Sequence, residues 1–224
     1  MLVTQERSVQ CGQSTFSYVD LSFKVTGEQL PADHNYGLYS AIAHICPEIH
    51  QHSDISIQTI SGLPDRQGKI TLASRSALRI RLPYDPAVMG LVLPLAGQTL
   101  KIGIHSIQLG IPQIYPLRPV ERLESRIVTI KKYQEPEDFL EAAKRQIQSL
   151  DIEANLFFPL NEEGQVCRKA IKIKRYSVVG FSLIATDLSE EASLKLQSTG
   201  LGGKHRMGCG IFVPYRHDWR FQNV

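Results

Sequence analysis

Apolar and polar residues alternate along the first half of the chain in short segments that predict strands and helices. Apolar residues recur every third or fourth position over 36–46, which predicts a helix that Pro47 ends. Turns are predicted at 30–33 and 62–68. The predicted strands of this half are 16–25, 54–60, 69–73, 77–82 and 100–109, and the predicted helices are 36–46 and 85–93.

The second half repeats this order of elements after a proline-rich stretch, 112–119, that we interpret as a linker. Strands are predicted at 126–131, 166–174, 178–186 and 211–213, and helices at 136–149 and 189–197. The repeated order predicts an α+β protein of two tandem ferredoxin-like domains, residues 1–119 and 120–224. The RNA-recognition motif (RRM) has the same topology, although the chain lacks the aromatic signature of RRM sheets.

Residues 200–210 form a glycine-rich loop with three side chains that can carry positive charge, followed by an apolar strand. Glycine permits backbone conformations that point successive N–H groups at an anion, so the loop predicts a phosphate cradle. The loop follows a helix and precedes a strand, which is the reverse of a nucleotide P-loop. Alternatively, Gly200 only ends the preceding helix, which leaves the other glycines unexplained.

Residues 168–174 form a predicted strand that is rich in arginine and lysine. Alternation over 168–174 places arginine and lysine on one face and Ile171 and Ile173 on the other. The alternative is an ordinary solvated face, and the cationic glycine-rich loop later in the sequence favours RNA contact. The candidate RNA-binding residues are Gly200, Gly202, Gly203, Lys204, His205, Arg206, Gly208, Gly210, Arg168, Lys172, Lys174 and Arg175.

Composition restricts the remaining possibilities. The 224 residues are 42% hydrophobic and 21% charged, and no apolar run reaches the length of a membrane span. A net charge of +3 is too small to indicate nucleic acid by itself. The four cysteines are scattered, so we expect no metal site and no cofactor. Residues 1–13 carry no targeting pattern, which predicts a cytoplasmic protein without membrane contact.

The glycine-rich loop and the segments 33–39, 74–79 and 197–203 together resemble the CRISPR repeat-cleaving endoribonucleases, which process precursor CRISPR RNA. The resemblance covers nearly the whole chain. It is greatest to the branch found with type I effector complexes, including some that are associated with transposons. It implies as partners a CRISPR repeat or guide RNA stem-loop, the other effector subunits and, in the transposon case, transposition proteins.

The resemblance also implies a metal-independent reaction in which the ribose 2′-hydroxyl attacks the scissile phosphate. In many relatives an aliphatic-histidine pair follows the first helix, and Ile49-His50 matches it. His50 is thus the first catalytic candidate, His34 the second and Tyr36 a positioning partner. A straight helix over 35–46 separates its ends by about 17 Å, so both histidines reach one phosphate only if the chain folds back at Pro47.

Other interpretations remain open from the sequence. His34 would cap the helix beside Asp33 in a purely structural reading, and His50 would be a surface loop residue. His205 is a third candidate for chemistry. A protein of another class, a catalytically inactive RNA-binding subunit, would keep the glycine-rich loop and lose the histidines, and the presence of both His34 and His50 argues against it.

Overall fold

The computed structural model describes residues 17–65 and 67–215. Its N-terminal half contains eight strands and two α-helices in the described ranges. These are β1 (Tyr18–Thr26), β2 (Gln29–Pro31), α1 (Asn35–Ile45), β3 (Ser56–Ile57), β4 (Leu63–Pro64), β5 (Lys69–Thr71), β6 (Ala77–Pro83), α2 (Pro86–Val92), β7 (Thr99–Ile102) and β8 (His105–Pro116). Short 3-10 turns follow α1 (Pro47–His50) and α2 (Leu93–Leu95).

The main sheet of this half has the strand order β3-β6-β1-β8-β7, with all neighbours antiparallel. Without β7, this is the order of a split βαβ, ferredoxin-like unit in which α1 and α2 supply the two crossovers. Asp85 fixes the start of α2, because its carboxylate accepts the N–H groups of Ala87 and Val88. The predicted ferredoxin-like arrangement is therefore confirmed here.

Three details of this half differ from the sequence predictions. The predicted strand 100–109 is a hairpin, because Gly103 turns the chain with φ +62° between β7 and β8. The proline-rich stretch 112–119 is not a linker up to Pro116, because β8 continues through it and pairs with β1. The predicted turns at 30–33 and 62–68 contain β2 and β4, which join β5 in a small separate sheet.

The C-terminal half repeats the order with one extra strand. Its elements are β9 (Leu123–Val128), α3 (Pro136–Ser149), β10 (Asn155–Phe157), β11 (Arg168–Ile173), β12 (Tyr176–Thr186), α4 (Glu190–Thr199), a 3-10 turn (His205–Met207) and β13 (Val213–Pro214). The sheet order is β10-β12-β9-β13, again ferredoxin-like, and β11 pairs with β12 outside this path.

Each half has its own apolar core. The first is built from residues up to Leu109 and the second from Leu123 onward. In α3 the buried residues are Phe139, Ala142, Ala143 and Ile147, at the spacing of one helical face. Among the described helices, none combines the length and the hydropathy that crossing a membrane requires.

A buried arginine joins the two halves. Arg81 on β6 is 1% exposed and lies opposite Asp20 on β1, whose carboxylate accepts from Nε at 2.8 Å and from Nη2 at 3.0 Å. Its Nη1 donates across to the carbonyl oxygens of Gln197 and Phe212 in the C-terminal half, at 2.8 and 2.7 Å. One side chain thus connects the first sheet to both ends of the glycine-rich loop.

Candidate active site

His50 lies on the surface at the end of the 3-10 turn that follows α1. Ile49 beside it is fully buried, which anchors the turn to the first core. His50 Nδ1 shares a 2.6 Å hydrogen bond with the Tyr39 hydroxyl, and the two rings meet edge to face with centroids 5.4 Å apart. One ring nitrogen is therefore engaged in orienting the imidazole, which leaves Nε2 as the nitrogen available for chemistry.

This pair lines an open cleft along one side of α1. The cleft has a volume of about 270 Å³, and its walls are Tyr36, Tyr39, Ser40, Ala43, His44 and His50. The helical residues among them recur at the three- and four-residue spacing of one helix face. The cleft gives a flexible ligand such as a single-stranded nucleotide direct access to the His50 ring.

The hydroxyl partner of His50 differs from the one predicted. Tyr36 lines the same cleft, but it is Tyr39, one helical turn further along α1, that bonds the imidazole. Tyr39 is 8% exposed, so packing fixes its ring while its hydroxyl reaches His50. The three-residue spacing of the two tyrosines was visible in the sequence, but the fold-back of the 3-10 turn that selects between them was not.

His34 lies in the interior instead of the cleft. It is 2% exposed, its Nδ1 donates to the Pro31 carbonyl at 2.8 Å, and its Nε2 accepts from the Ile60 N–H at 3.1 Å. Both nitrogens are thus used to tie β2 to the segment after β3. Burial, assisted by the charge of Arg126, lowers the pKa of His34, so the neutral ring is the form that the fold stabilises.

Arg206 comes from the glycine-rich loop and binds the turn that carries His50. Its Nη1 donates to the carbonyl oxygens of Ile49, His50 and His52 at 2.7, 2.8 and 3.2 Å. Its guanidinium carbon lies 5.9 Å from the centre of the Tyr39 ring. The structure therefore brings together two of the predicted site residues, His50 and Arg206, from opposite halves of the chain.

The five glycines of the loop donate their N–H groups inside the protein. The donors and acceptors are Gly200 to the Leu196 oxygen, Gly202 to Gln146 Oε1, Gly203 to the Thr129 oxygen, Gly208 to the His205 oxygen and Gly210 to the Ile127 oxygen. The N–H groups of Gly202, Gly203 and Gly210 hold the loop against α3 and the β9 segment, whereas those of Gly200 and Gly208 close the end of α4 and the turn within the loop. They do not form the expected phosphate cradle, and the loop is a packed structural element instead.

Glycine is required where the loop crosses neighbouring backbone. Gly202 has φ +75°, and a Cβ there would lie 2.4 Å from the Thr129 carbonyl oxygen. At Gly210, with φ +68°, a Cβ would overlap the Leu201 carbonyl oxygen. Gly203 differs, because a Cβ added there would have no other atom within 4 Å. The loop therefore contains both constrained and unconstrained glycines.

This contrast predicts opposite results for two neighbouring alanine substitutions. Gly202→Ala should destabilise the protein by at least about 1–3 kcal/mol, because it combines a positive φ with a clash against backbone. Gly203→Ala should change stability by no more than about 0.5 kcal/mol, as is usual for unconstrained surface positions. Urea unfolding monitored by circular dichroism measures both, and equal stabilities for the two variants would contradict this description of the loop.

The side chains of Lys204 and His205 point to different roles within the loop. Lys204 is exposed, in a left-handed conformation with φ +66°, at the start of the 3-10 turn His205–Met207. The His205 ring instead folds inward against Gly200 and Gly210. Its Nε2 lies 3.2 and 2.9 Å from the points where a Cβ would be if these two glycines carried one. Burial lowers the pKa of His205.

The basic strand forms a hairpin that reaches the N-terminal half. As predicted, β11 pairs with β12 and alternates, with Ile171 buried and Lys172 exposed. The Lys172 N–H donates to Asp33 Oδ2 at 2.7 Å, next to the start of α1. At the hairpin turn, the Arg175 guanidinium lies over the Tyr176 ring at 5.1 Å. Lys172, Lys174 and Arg175 are all exposed, whereas Arg168 pairs with Glu135 at 2.6 Å.

Known proteins resemble this chain over most of its length. A family described as Cas6 Crispr matches residues 19–217. The chain belongs to the Cas6 family. A CRISPR-associated endonuclease Cas6 from Myxococcus xanthus (strain DK1622) is 35% identical over 206 residues, which cover 92% of this chain and 85% of that protein. The family and the enzyme class inferred from sequence resemblance are therefore confirmed.

Solved structures show the same Cas6 fold at low sequence identity. A CRISPR associated protein Cas6 superposes with a TM-score of 0.62 at 13% identity, covering 89% of this chain and 99% of the other. A Cas6-related protein from Pyrococcus furiosus gives a TM-score of 0.62 at 15% identity, with coverages of 90% and 99%. These similarities support the tandem α+β architecture described above.

Proposed function

We propose that this Cas6 protein cuts CRISPR repeat RNA within a precursor transcript, without a metal ion. The observation that carries the proposal is the exposed His50 ring, held by Tyr39 at the wall of an open cleft. Histidine is the side chain best suited to take up and release a proton near neutral pH, and a phosphodiester transesterification requires such a group. The curated relative, a CRISPR-associated endonuclease, supports the same reaction class.

In the proposed reaction the ribose 2′-hydroxyl beside the scissile phosphate is the nucleophile. With the His50 Nδ1–H donating to the Tyr39 oxygen, Nε2 has a free lone pair and accepts the 2′-hydroxyl proton. The 2′-oxygen forms a bond to phosphorus as the bond to the 5′-oxygen breaks. The 5′-oxygen takes a proton from solvent in the open cleft, and the products are a 2′,3′-cyclic phosphate and a 5′-hydroxyl.

Phosphate contacts in this proposal come mainly from exposed cations. Lys172, Lys174 and Arg175 on the β11–β12 hairpin and Lys204 on the glycine-rich loop are suited to hold the RNA backbone. The hairpin is anchored to Asp33 at the start of α1, so an RNA stem along it would lead toward the cleft. The loop glycines contribute by giving the loop its shape, and Arg168 contributes if RNA displaces its contact with Glu135.

His34 has no catalytic role in this proposal, because both its nitrogens are bonded in the interior. Tyr36 is assigned to the wall of the cleft, where its ring is suited to stack on a base. We propose that the enzyme retains its product and acts with the other subunits of a type I effector complex. The catalytically inactive alternative remains an outcome of the following test.

The test is cleavage of the repeat RNA from the protein's own CRISPR array in the presence of EDTA. A matched RNA carries 2′-deoxyribose at the scissile nucleotide. We expect the all-ribose RNA to be cut to a cyclic phosphate product, and the deoxy RNA to be bound with similar affinity and left intact. Cleavage that EDTA abolishes would overturn metal independence, and tight binding of both RNAs without cleavage would favour an RNA-binding subunit.

A further inference from the structure

Arg206 is the one charged side chain of the glycine-rich loop that is directed into the N-terminal half in the described structure. In the described part of the chain, its three hydrogen bonds come from Nη1 and end on the backbone of residues 49–52. The bonds to the Ile49 and His50 carbonyls are 2.7 and 2.8 Å, which is short for N–H···O and typical of a charged donor. These bonds therefore fix the position of the backbone at residues 49–52.

The acceptors lie where a short helix ends. The last carbonyls of any helical turn lack partners within it, and a cation placed there satisfies them and interacts favourably with the turn dipole. Here the 3-10 turn ends at His50, so Arg206 supplies those bonds at the residue that carries the imidazole. Loss of Arg206 would free this backbone to move.

The same guanidinium also lies near the second member of the pair. Its carbon is 5.9 Å from the centre of the Tyr39 ring, within the range of a cation–π contact. Arg206 thus contacts both the turn that carries His50 and the tyrosine that bonds its Nδ1. Two contacts from one planar group restrict the distance between the two side chains.

We propose that Arg206 is a positioning residue, which holds His50 and Tyr39 in the geometry for proton transfer and does not mainly bind RNA. This inference rests on the proposed function of His50. It replaces the phosphate contact expected from the sequence, and it makes the active site dependent on both halves of the chain. A lysine at this position would not substitute fully, because its compact ammonium group, once placed on the three carbonyl oxygens, leaves no further part of the cation to lie near the Tyr39 ring.

Kinetics separate positioning from RNA binding. Because misplacement of a catalytic group by about 1 Å can cost about 10²-fold, Arg206→Ala and Arg206→Lys should slow single-turnover cleavage at saturating RNA by roughly 10- to 100-fold. Their Kd for repeat RNA should change less than about twofold, since ordinary surface changes contribute little. Lys204→Ala in the same loop should instead raise the Kd for repeat RNA. The matched control is Lys144→Ala, an exposed cation on α3 outside the site, which should leave both the Kd and the saturating rate at the wild-type values.

Two further readouts distinguish positioning from a loss of folding. Millimolar guanidinium should restore part of the Arg206→Ala cleavage rate, whereas the same concentration of sodium chloride should not. In the RNA-free protein, long-range 1H–15N spectra should show shifted or broadened His50 ring signals in Arg206→Ala and unchanged signals in Lys204→Ala. A misfolded variant would lose the whole spectrum and would not be rescued.

The inference is overturned if Arg206→Ala weakens RNA binding, keeps the wild-type rate at saturation and leaves the His50 signals unmoved. The NMR result is independent of activity. If wild type binds repeat RNA without cutting it, the proposed function fails, whereas a His50 signal that moves only in Arg206→Ala still supports the positioning contact.

Discussion

Replacing His50 with alanine is expected to slow cleavage of bound repeat RNA by about 10²–10⁴-fold, the usual contribution of a general acid or base. The Kd for RNA should remain near that of wild type, because His50 is a single exposed side chain whose ring packs on Tyr39 alone in the described structure. Ile49, not His50, anchors the turn in the core, so the fold should survive. Single-turnover rates with protein in excess measure this directly.

Companion variants make the His50 result specific. Tyr39→Phe removes only the hydroxyl that bonds Nδ1 and should slow cleavage about tenfold, equivalent to one hydrogen bond of roughly 1.4 kcal/mol. His105→Ala, a partly exposed histidine on β8, should leave the rate at the wild-type value. A His50→Ala enzyme that cuts as fast as the His105→Ala enzyme would remove His50 from the mechanism.

The second large effect is on stability. Arg81→Met should lower the free energy of unfolding by about 3–5 kcal/mol, the cost of removing one partner of a buried ion pair. The change leaves the Asp20 carboxylate, 14% exposed, without its bidentate partner, and it removes the donor to the Gln197 and Phe212 carbonyls. Chemical denaturation of wild type and variant under the same conditions measures the difference.

The control for this prediction lies two residues earlier on the same strand. Arg79→Met changes the same side chain at a half-buried position and should cost less than about 1 kcal/mol. Adding Asp20→Asn to Arg81→Met should recover part of the loss, since the unpaired charge is then gone. Equal destabilisation by the two methionine variants would show that Arg81 does not have the special role that its four hydrogen bonds indicate.

Periodicity predicted the elements whose burial is one-sided. Helix α3 was placed at 136–149 because its apolar residues fall on one face, and its observed bounds, Pro136–Ser149, are the same. The alternating pattern predicts one strand over 100–109, because it continues on both sides of the turn at Gly103 that separates β7 from β8. The sequence predicts that the strand ends at Leu109, whereas β8 continues to Pro116. Prolines are tolerated there because this part of β8 lies beyond its pairing with β7 and has β1 as its neighbour.

The candidate site was predictable only in part. The family pattern selected His50, and its exposed position agrees with a catalytic role that remains to be tested. The sequence could not distinguish Tyr36 from Tyr39, because the fold-back of the 3-10 turn after α1 selects between them. It could not show that Arg206 crosses to the N-terminal half, because that contact depends on how the two halves pack together. The sequence of residues 200–210 predicts a loop that binds phosphate through its glycine N–H groups. In the structure, most of these glycines instead allow close packing against neighbouring backbone.

Strand β11 lies outside both ferredoxin-like strand orders and, among the described strands, pairs with β12. Its exposed residues contribute little to either apolar core, so substitutions and changes in length there should be tolerated by the fold. At the same time, its contact with Asp33 keeps the hairpin beside the start of α1. If the proposed function holds, exchanging the exposed cations of this hairpin should therefore change RNA affinity at little cost to folding.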